Sequence, residues 1–168
     1  MPGDKHDVFV TVDGDDWLYS NDVLSYLNEV YQDPDVWLTY GQFVSASGTI
    51  KNTSKLLKNA RTYRTQGTWV TSHLRTIKRG LWDHIDDADL RDKNGNYYVY
   101  YPELPYMFAA IEMAGLKHIR FIDKVLYVYN DRSPLCSATD WKHKDMSSIY
   151  AISEEIRHKR IYDEINEL

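Results

Sequence analysis

Val8-Phe-Val-Thr-Val12 runs directly into Asp13-Gly-Asp-Asp-Trp-Leu18. The first five residues are apolar or β-branched, which reads as a buried strand over residues 8–12. Three carboxylates within four residues follow at its carboxyl end, where open α/β sheets place their ligand sites. Acids packed this closely repel one another unless a divalent cation bridges them. Carboxylates suit Mg²⁺ or Mn²⁺ better than Zn²⁺. Residues 13–16 therefore read as a hard-metal site at a strand end, serving a phosphorylated substrate. A polar turn that only ends the strand and caps the next helix is the plain alternative, because Asp and Gly favour turns.

Working outward, Ser20 or Asn21 is placed to cap a helix whose apolar positions are Leu24, Leu27 and Tyr31. Asp33-Pro34-Asp35 stops it. Residues 36–43 form the next predicted strand, with Val36, Leu38 and Tyr40 on one face. Residues 45–54 are small and polar, a loop. Residues 69–85 start extended and turn helical around Leu74, Ile77, Leu81 and Ile85. An acidic stretch over 83–95, turning at Asn94-Gly95, reads as a mobile loop. Tyr97, Val99 and Tyr101 alternate on a short aromatic strand. Pro102 and Pro105 open a helix with Met107, Ala110, Ile111 and Ala114 on one face, and Gly115 ends it. Residues 118–130 are extended, with a break expected at Asp123-Lys124. Asp140 is placed to cap a last helix striped by Met146, Ile149, Ile152 and Ile156. The charged end, residues 154–168, reads as solvent-exposed. There is no repeat, low-complexity tract or linker. The expectation is one mixed α/β domain over residues 1–168 with a single core.

The bulk composition narrows the function. The chain has 168 residues, a formal net charge of -5 and 14 Tyr beside 5 Trp. An acidic chain lacks the basic field of nonspecific nucleic-acid binding. Many flat, polar-tipped rings suit sugars or other chains. The single cysteine, Cys136, has no internal partner, which fits a reducing, cytoplasmic setting; it reads as a packed or idle thiol. No apolar run reaches membrane-spanning length and residues 1–7 are not a signal peptide, so membrane association is at most peripheral.

Val10-Thr-Val-Asp-Gly-Asp-Asp-Trp-Leu18, the helix after it and Leu38-Thr-Tyr-Gly-Gln-Phe43 together resemble the middle of a GT-A-fold glycosyltransferase of family 2. Tyr101-Pro-Glu-Leu-Pro-Tyr-Met-Phe-Ala-Ala-Ile-Glu-Met-Ala-Gly115 resembles that family's acidic segment before a helix. Phe121-Ile-Asp-Lys-Val-Leu-Tyr-Val-Tyr-Asn130 resembles the strand region that follows. The resemblance implies an α/β fold, a partial GT-A (Rossmann-like) mixed sheet flanked by helices, and a hexosyltransferase-like activity. A sugar would pass from a nucleotide-diphosphate donor to a saccharide or other hydroxyl acceptor, usually with inversion. Asp13 and Asp15 correspond to the family's Asp-x-Asp pair, binding Mn²⁺ or Mg²⁺ and through it the donor, with Asp15 the direct ligand. Asp16 joins the metal site or orients a ligand from behind. Glu103 falls where the family keeps its general base, and a helix N-terminus favours the carboxylate form a base requires. Simple helix-capping charge is the other reading of Glu103.

In that family a long N-terminal part carries the opening strands and most nucleotide contacts. Here only residues 1–7 precede the metal-site strand. The chain thus corresponds to the metal-site and acceptor-side half of such an enzyme. It is expected to be a fragment, a sheet completed by a partner chain or second copy, or a half-domain without donor binding. An unpaired sheet edge favours association.

Further candidates stand beside these. Arg75, Lys78 and Arg79 could meet a diphosphate, Arg75 above all, or line a solvated helix face. His143, or else His73, is the candidate third metal ligand. Trp17 and Trp69 are the candidate acceptor platform, with Trp82 a weaker one, and core packing the alternative for each. A haloacid-dehalogenase-type phosphatase is an alternative enzyme, with Asp13 as nucleophile, Asp15 as acid, Lys55 or Lys78 as anchor and Asp86 or Asp87 as metal ligands. Asp16 stands where that family has Gly or Thr. A non-catalytic half-domain that binds a partner is the third reading.

Overall fold

The computed structural model describes residues 3–49, 54–134 and 145–168. Cys136, Asp140 and His143 lie outside the described residues. Five strands form one mixed sheet: β1 (Val8–Thr11), β2 (Trp17–Leu18), β3 (Leu38–Ser45), β4 (Arg75–Lys78) and β5 (Ile119–Tyr129). Their order is β1-β4-β3-β5-β2. β3 and β5 are parallel, and every other pairing is antiparallel. The chain leaves β1 at one edge and re-enters the sheet as β2 at the other. Residues 12–16 therefore cross the carboxyl ends of β3 and β5. The α/β expectation holds in this form.

Helices cover both faces of the sheet. On one face α1 (Val23–Val30) buries Val23 and Leu27 against Phe43, Leu74, Ile122 and Tyr127. Leu24, expected on the buried stripe, is 55% exposed. Leu27 is buried as expected, but Val23, one turn before it, takes the place of Leu24, and the Ser20 hydroxyl bonds Asp22 instead of capping the helix. On the other face α3 (Glu103–Ala114) packs against Leu38 and Tyr40. Every residue of α3 from Leu104 to Ala114 is buried, so it has no solvent face. As expected, Gly115 ends it, with φ of 58°, a conformation that glycine adopts at little cost. The core is thus two clusters separated by the sheet, not one.

Several elements differ from the sequence reading. Leu74 sits in a bend before β4 and Ile77 in β4, and only Arg79–Trp82 coil, as the single-turn α2. Short strands and helices share apolar spacings over four residues. β3 is buried on both faces because it is central and covered on both sides. Residues 97–101 are not a strand: Arg91 and Tyr97 form one isolated bridge. The acidic stretch before them holds a single 3-10 turn, Asp87–Leu90, with Asp86 accepting from the Ala88 N–H. β5 runs unbroken, and the expected break is a bulge. Gly41 pairs with Ile122 but Gln42 with Val125, so Asp123 and Lys124 are extra residues. Gln42 satisfies the bulge, donating to Asp123 Oδ1 at 3.0 Å and to the Ser54 carbonyl at 3.2 Å. The last helix, α4 (Met146–Arg157), is capped by Asp145, and Ile149 and Ile156 are its buried residues. The chain after it is not wholly exposed. Tyr162 is buried, and the Ile165 N–H donates to the Met113 carbonyl at 2.9 Å.

One buried ion pair joins these parts. Arg64 forks onto Glu112 of α3, Nε to Oε1 at 2.7 Å and Nη2 to Oε2 at 2.8 Å. Arg64 Nη1 also donates to the Ile156 carbonyl at 3.0 Å, and the Tyr162 N–H donates to Glu112 Oε2 at 3.0 Å. Both charges are fully desolvated and hydrogen-bonded, the condition under which burial is tolerated.

Candidate active site

A cleft of about 810 Å³ opens where residues 12–16 cross the sheet. β1 and the turn after it supply Thr11, Asp13 and Asp15. The chain entering β4 supplies Trp69, His73 and Arg75, and the first turns of α3 supply Glu103 and Tyr106. α4 closes the far wall with Tyr150, Glu154 and Arg157. Register explains the meeting. Thr11 pairs with Arg75 across β1 and β4, so the residue that ends β1 lies beside the one that opens β4.

Asp16 turns away from this cleft. The Tyr127 hydroxyl donates to its Oδ2 at 2.6 Å and the Asn130 N–H to its Oδ1 at 2.7 Å. The Asp13 N–H donates to the same Tyr127 oxygen at 3.1 Å. Asp16 thereby pins the acidic turn to the end of β5. Both its oxygens are engaged, which sets it apart from Asp13 and Asp15 as a metal ligand and gives it a positioning task. Its carboxyl is pushed above the usual value chiefly by burial, against the pull of those two hydrogen bonds.

Arg75 is 3% exposed, yet it lines the cleft and its Nε has no hydrogen-bond partner. Burial works against its charge, and Tyr106, Glu103 and Asp13 together outweigh burial, so its pKa is raised. The Tyr106 hydroxyl faces Arg75 and Thr11 but forms no hydrogen bond of normal geometry. The Arg75 Nε is enclosed by protein, but the residue lines the cleft, and a buried guanidinium at a cavity wall is an anion receptor. Asp13 is open to the cleft, yet the surrounding protein strips enough water to raise its pKa. Arg75 opposes that shift, and Glu103 and Asp15 add to it. His73 is held neutral, its pKa pushed down to about 2 by burial and then by Arg75. Its ring stacks on Tyr127 at 4.4 Å.

Among the described residues no three His, Cys, Asp or Glu side chains are placed to hold a metal ion alone. Mg²⁺ and Mn²⁺ need no such cage. They keep waters and take one or two carboxylates plus substrate phosphates. Asp13 and Asp15, with the Arg75 guanidinium on the same cleft, fit that kind of shared site. His143 cannot be placed against it.

Trp69 lines the cleft while its ring packs 5.7 Å from Tyr63 and 5.8 Å from Phe108. Trp17 lies on edge strand β2 and is not among the cleft residues. Trp82 packs against Phe9 and Tyr106. Lys78 donates to the Pro34 carbonyl, Arg79 pairs with Asp83, and Asp87 pairs with Arg91. Asp86, Asp87, Lys55 and Lys78 do not line the cleft. Sequence alone does not single out Tyr106 or Tyr127, whose roles come from partners distant in the chain. For Tyr106 the only local signal was its place three residues after Glu103, one turn along the same helix face. No protein-family model matches the chain, and no curated protein matches it.

Proposed function

We propose that this chain is the metal-site and acceptor-side part of a GT-A-type glycosyltransferase, moving a sugar from a nucleotide-diphosphate donor to an acceptor hydroxyl with inversion. The observation that carries this reading is the convergence of three segments distant in sequence. Asp13 and Asp15, the buried Arg75 and the helix-terminal Glu103 all line one cleft. A bound Mn²⁺ or Mg²⁺ would neutralise charge building on the leaving diphosphate. Asp13 and Asp15 would hold it, and Arg75 would take a phosphate oxygen. Glu103 accepts the proton of the acceptor hydroxyl as that oxygen bonds the anomeric carbon. The bond from that carbon to the diphosphate oxygen breaks, and the nucleoside diphosphate departs. Trp69 supplies a flat face for the acceptor.

Among the described residues β1 is a sheet edge, bonded only to β4, and its Phe9 is 40% exposed. A strand from a second copy or a partner chain would extend the sheet there.

Calorimetric titration of Mn²⁺ with UDP or GDP, on wild type and Asp15→Asn, tests the reading. Metal-dependent nucleotide binding lost in the variant is expected. Glu103→Gln should keep that binding and lower transfer by about 10²–10⁴-fold. Nucleotide binding that ignores both the metal and Asp15 would overturn it.

A further inference from the structure

A second groove, of about 640 Å³, lies along α4 beside the cleft. Asp92, Asn96, Tyr97 and Tyr98 form one wall, and Ala151 and Glu155 of α4 the other. Val99 and Tyr100 line both cavities, so the two are neighbours across a single ridge. Val99 is 84% exposed on it.

Tyr97 is 55% exposed and nevertheless fixed in place. Its hydroxyl donates to Asp87 Oδ1 at 2.7 Å, and the Arg91 guanidinium sits 3.7 Å from its ring centroid. The Tyr98 hydroxyl donates to Glu155 Oε1 at 2.9 Å, tying one wall of the groove to the other. Tyr98 is buried, but the fixed, half-exposed Tyr97 ring beside carboxylate and amide groups suits the apolar C–H face and hydroxyl rim of a pyranose ring. The lining carries Asp92 and Glu155 against one Lys93, which disfavours an anionic chain.

We propose that this groove binds the continuation of a neutral oligosaccharide acceptor whose reacting end lies in the cleft. The acceptor class is then a glycan of several units, not a single sugar. This rests on the sugar-transfer reading, and the test separates the two. Binding of neutral mono- to hexasaccharides of glucose, N-acetylglucosamine and mannose is measured without donor, for wild type, Tyr97→Ser and Ala151→Trp. Ala151 is exposed on α4, so the tryptophan fills the groove without entering the core. Affinity for at least one series should rise about tenfold with length. Both variants should return it to the monosaccharide level with Mn²⁺-UDP binding unchanged. Affinity independent of length in all three series overturns the proposal. So does a wild-type dimer that Ala151→Trp dissociates, because a second copy then fills the groove. Length-dependent binding without any metal-nucleotide binding keeps the groove and removes the transferase.

Discussion

Asp13, Asp15 and Asp16 share one turn and have different tasks, because their neighbours differ. Asp16 is spent on Tyr127 and Asn130, while Asp13 faces Arg75 and Glu103 across the cleft. The raised pKa of Asp13 has a consequence for stability. Its folded form holds a proton more tightly than its unfolded form does. The linked stability is complete below the ordinary value of 3.8 and is lost as pH rises through the raised folded value. Asp13→Asn should therefore raise Tm at pH 7 and leave it nearly unchanged at pH 3, while removing metal-dependent nucleotide binding. Thermal unfolding of both proteins across that pH range checks the sign. A variant less stable at pH 7 would contradict it. Such a trade of stability for charge is expected where a site must hold a cation.

At the scale of elements, β5 shows how a sequence signal can be right about place and wrong about kind. Asp123-Lys124 interrupts the apolar pattern, and the interruption is absorbed by register shifts on either side of Gln42 inside a continuous strand. Gln42 makes this possible by bonding both Asp123 and Ser54, whose N–H donates back to Gln42 Oε1 at 3.3 Å. Gln42→Ala should cost about 1–3 kcal/mol, the penalty for leaving buried backbone groups unpaired. Urea unfolding reads it, and an unchanged midpoint would mean that the bulge satisfies itself. The start of β1, the ends of α3 and the stripe of α4 were all legible, since each rests on local chemistry: β-branching, Pro and Gly, and a 3.6-residue period. The single-turn α2 and the non-strand at 97–101 were not, because four or five residues carry too little periodicity to separate coil, strand and helix.

For the whole molecule, Arg64 and Glu112 connect a loop, both large helices and the C-terminal chain. Glu112→Gln should destabilise by about 3–5 kcal/mol, since it strands a buried guanidinium. Chemical denaturation measures this, and a loss below about 1 kcal/mol would show that Arg64 finds water instead. Because Ile156 and Tyr162 hang on the same pair, the variant should also loosen α4 and the cleft wall it forms. Hydrogen exchange at 146–162 should rise before exchange in β3 does. Among the described residues no helix is long and apolar enough to cross a membrane.

By itself, the sequence determined the mixed α/β class, the acidic turn at the end of β1 and the helix beginning at Glu103. These follow from residue types a few positions apart. Only the tertiary structure decided which acids line the cleft, that Arg75 is buried at its wall, and that the charged C-terminus covers the core. Each of these depends on partners tens of residues away: Tyr127 for Asp16, Thr11 for Arg75 and Met113 for Ile165. Hydrophobic spacing carries no information about such pairings, because register and burial are settled only when the sheet closes.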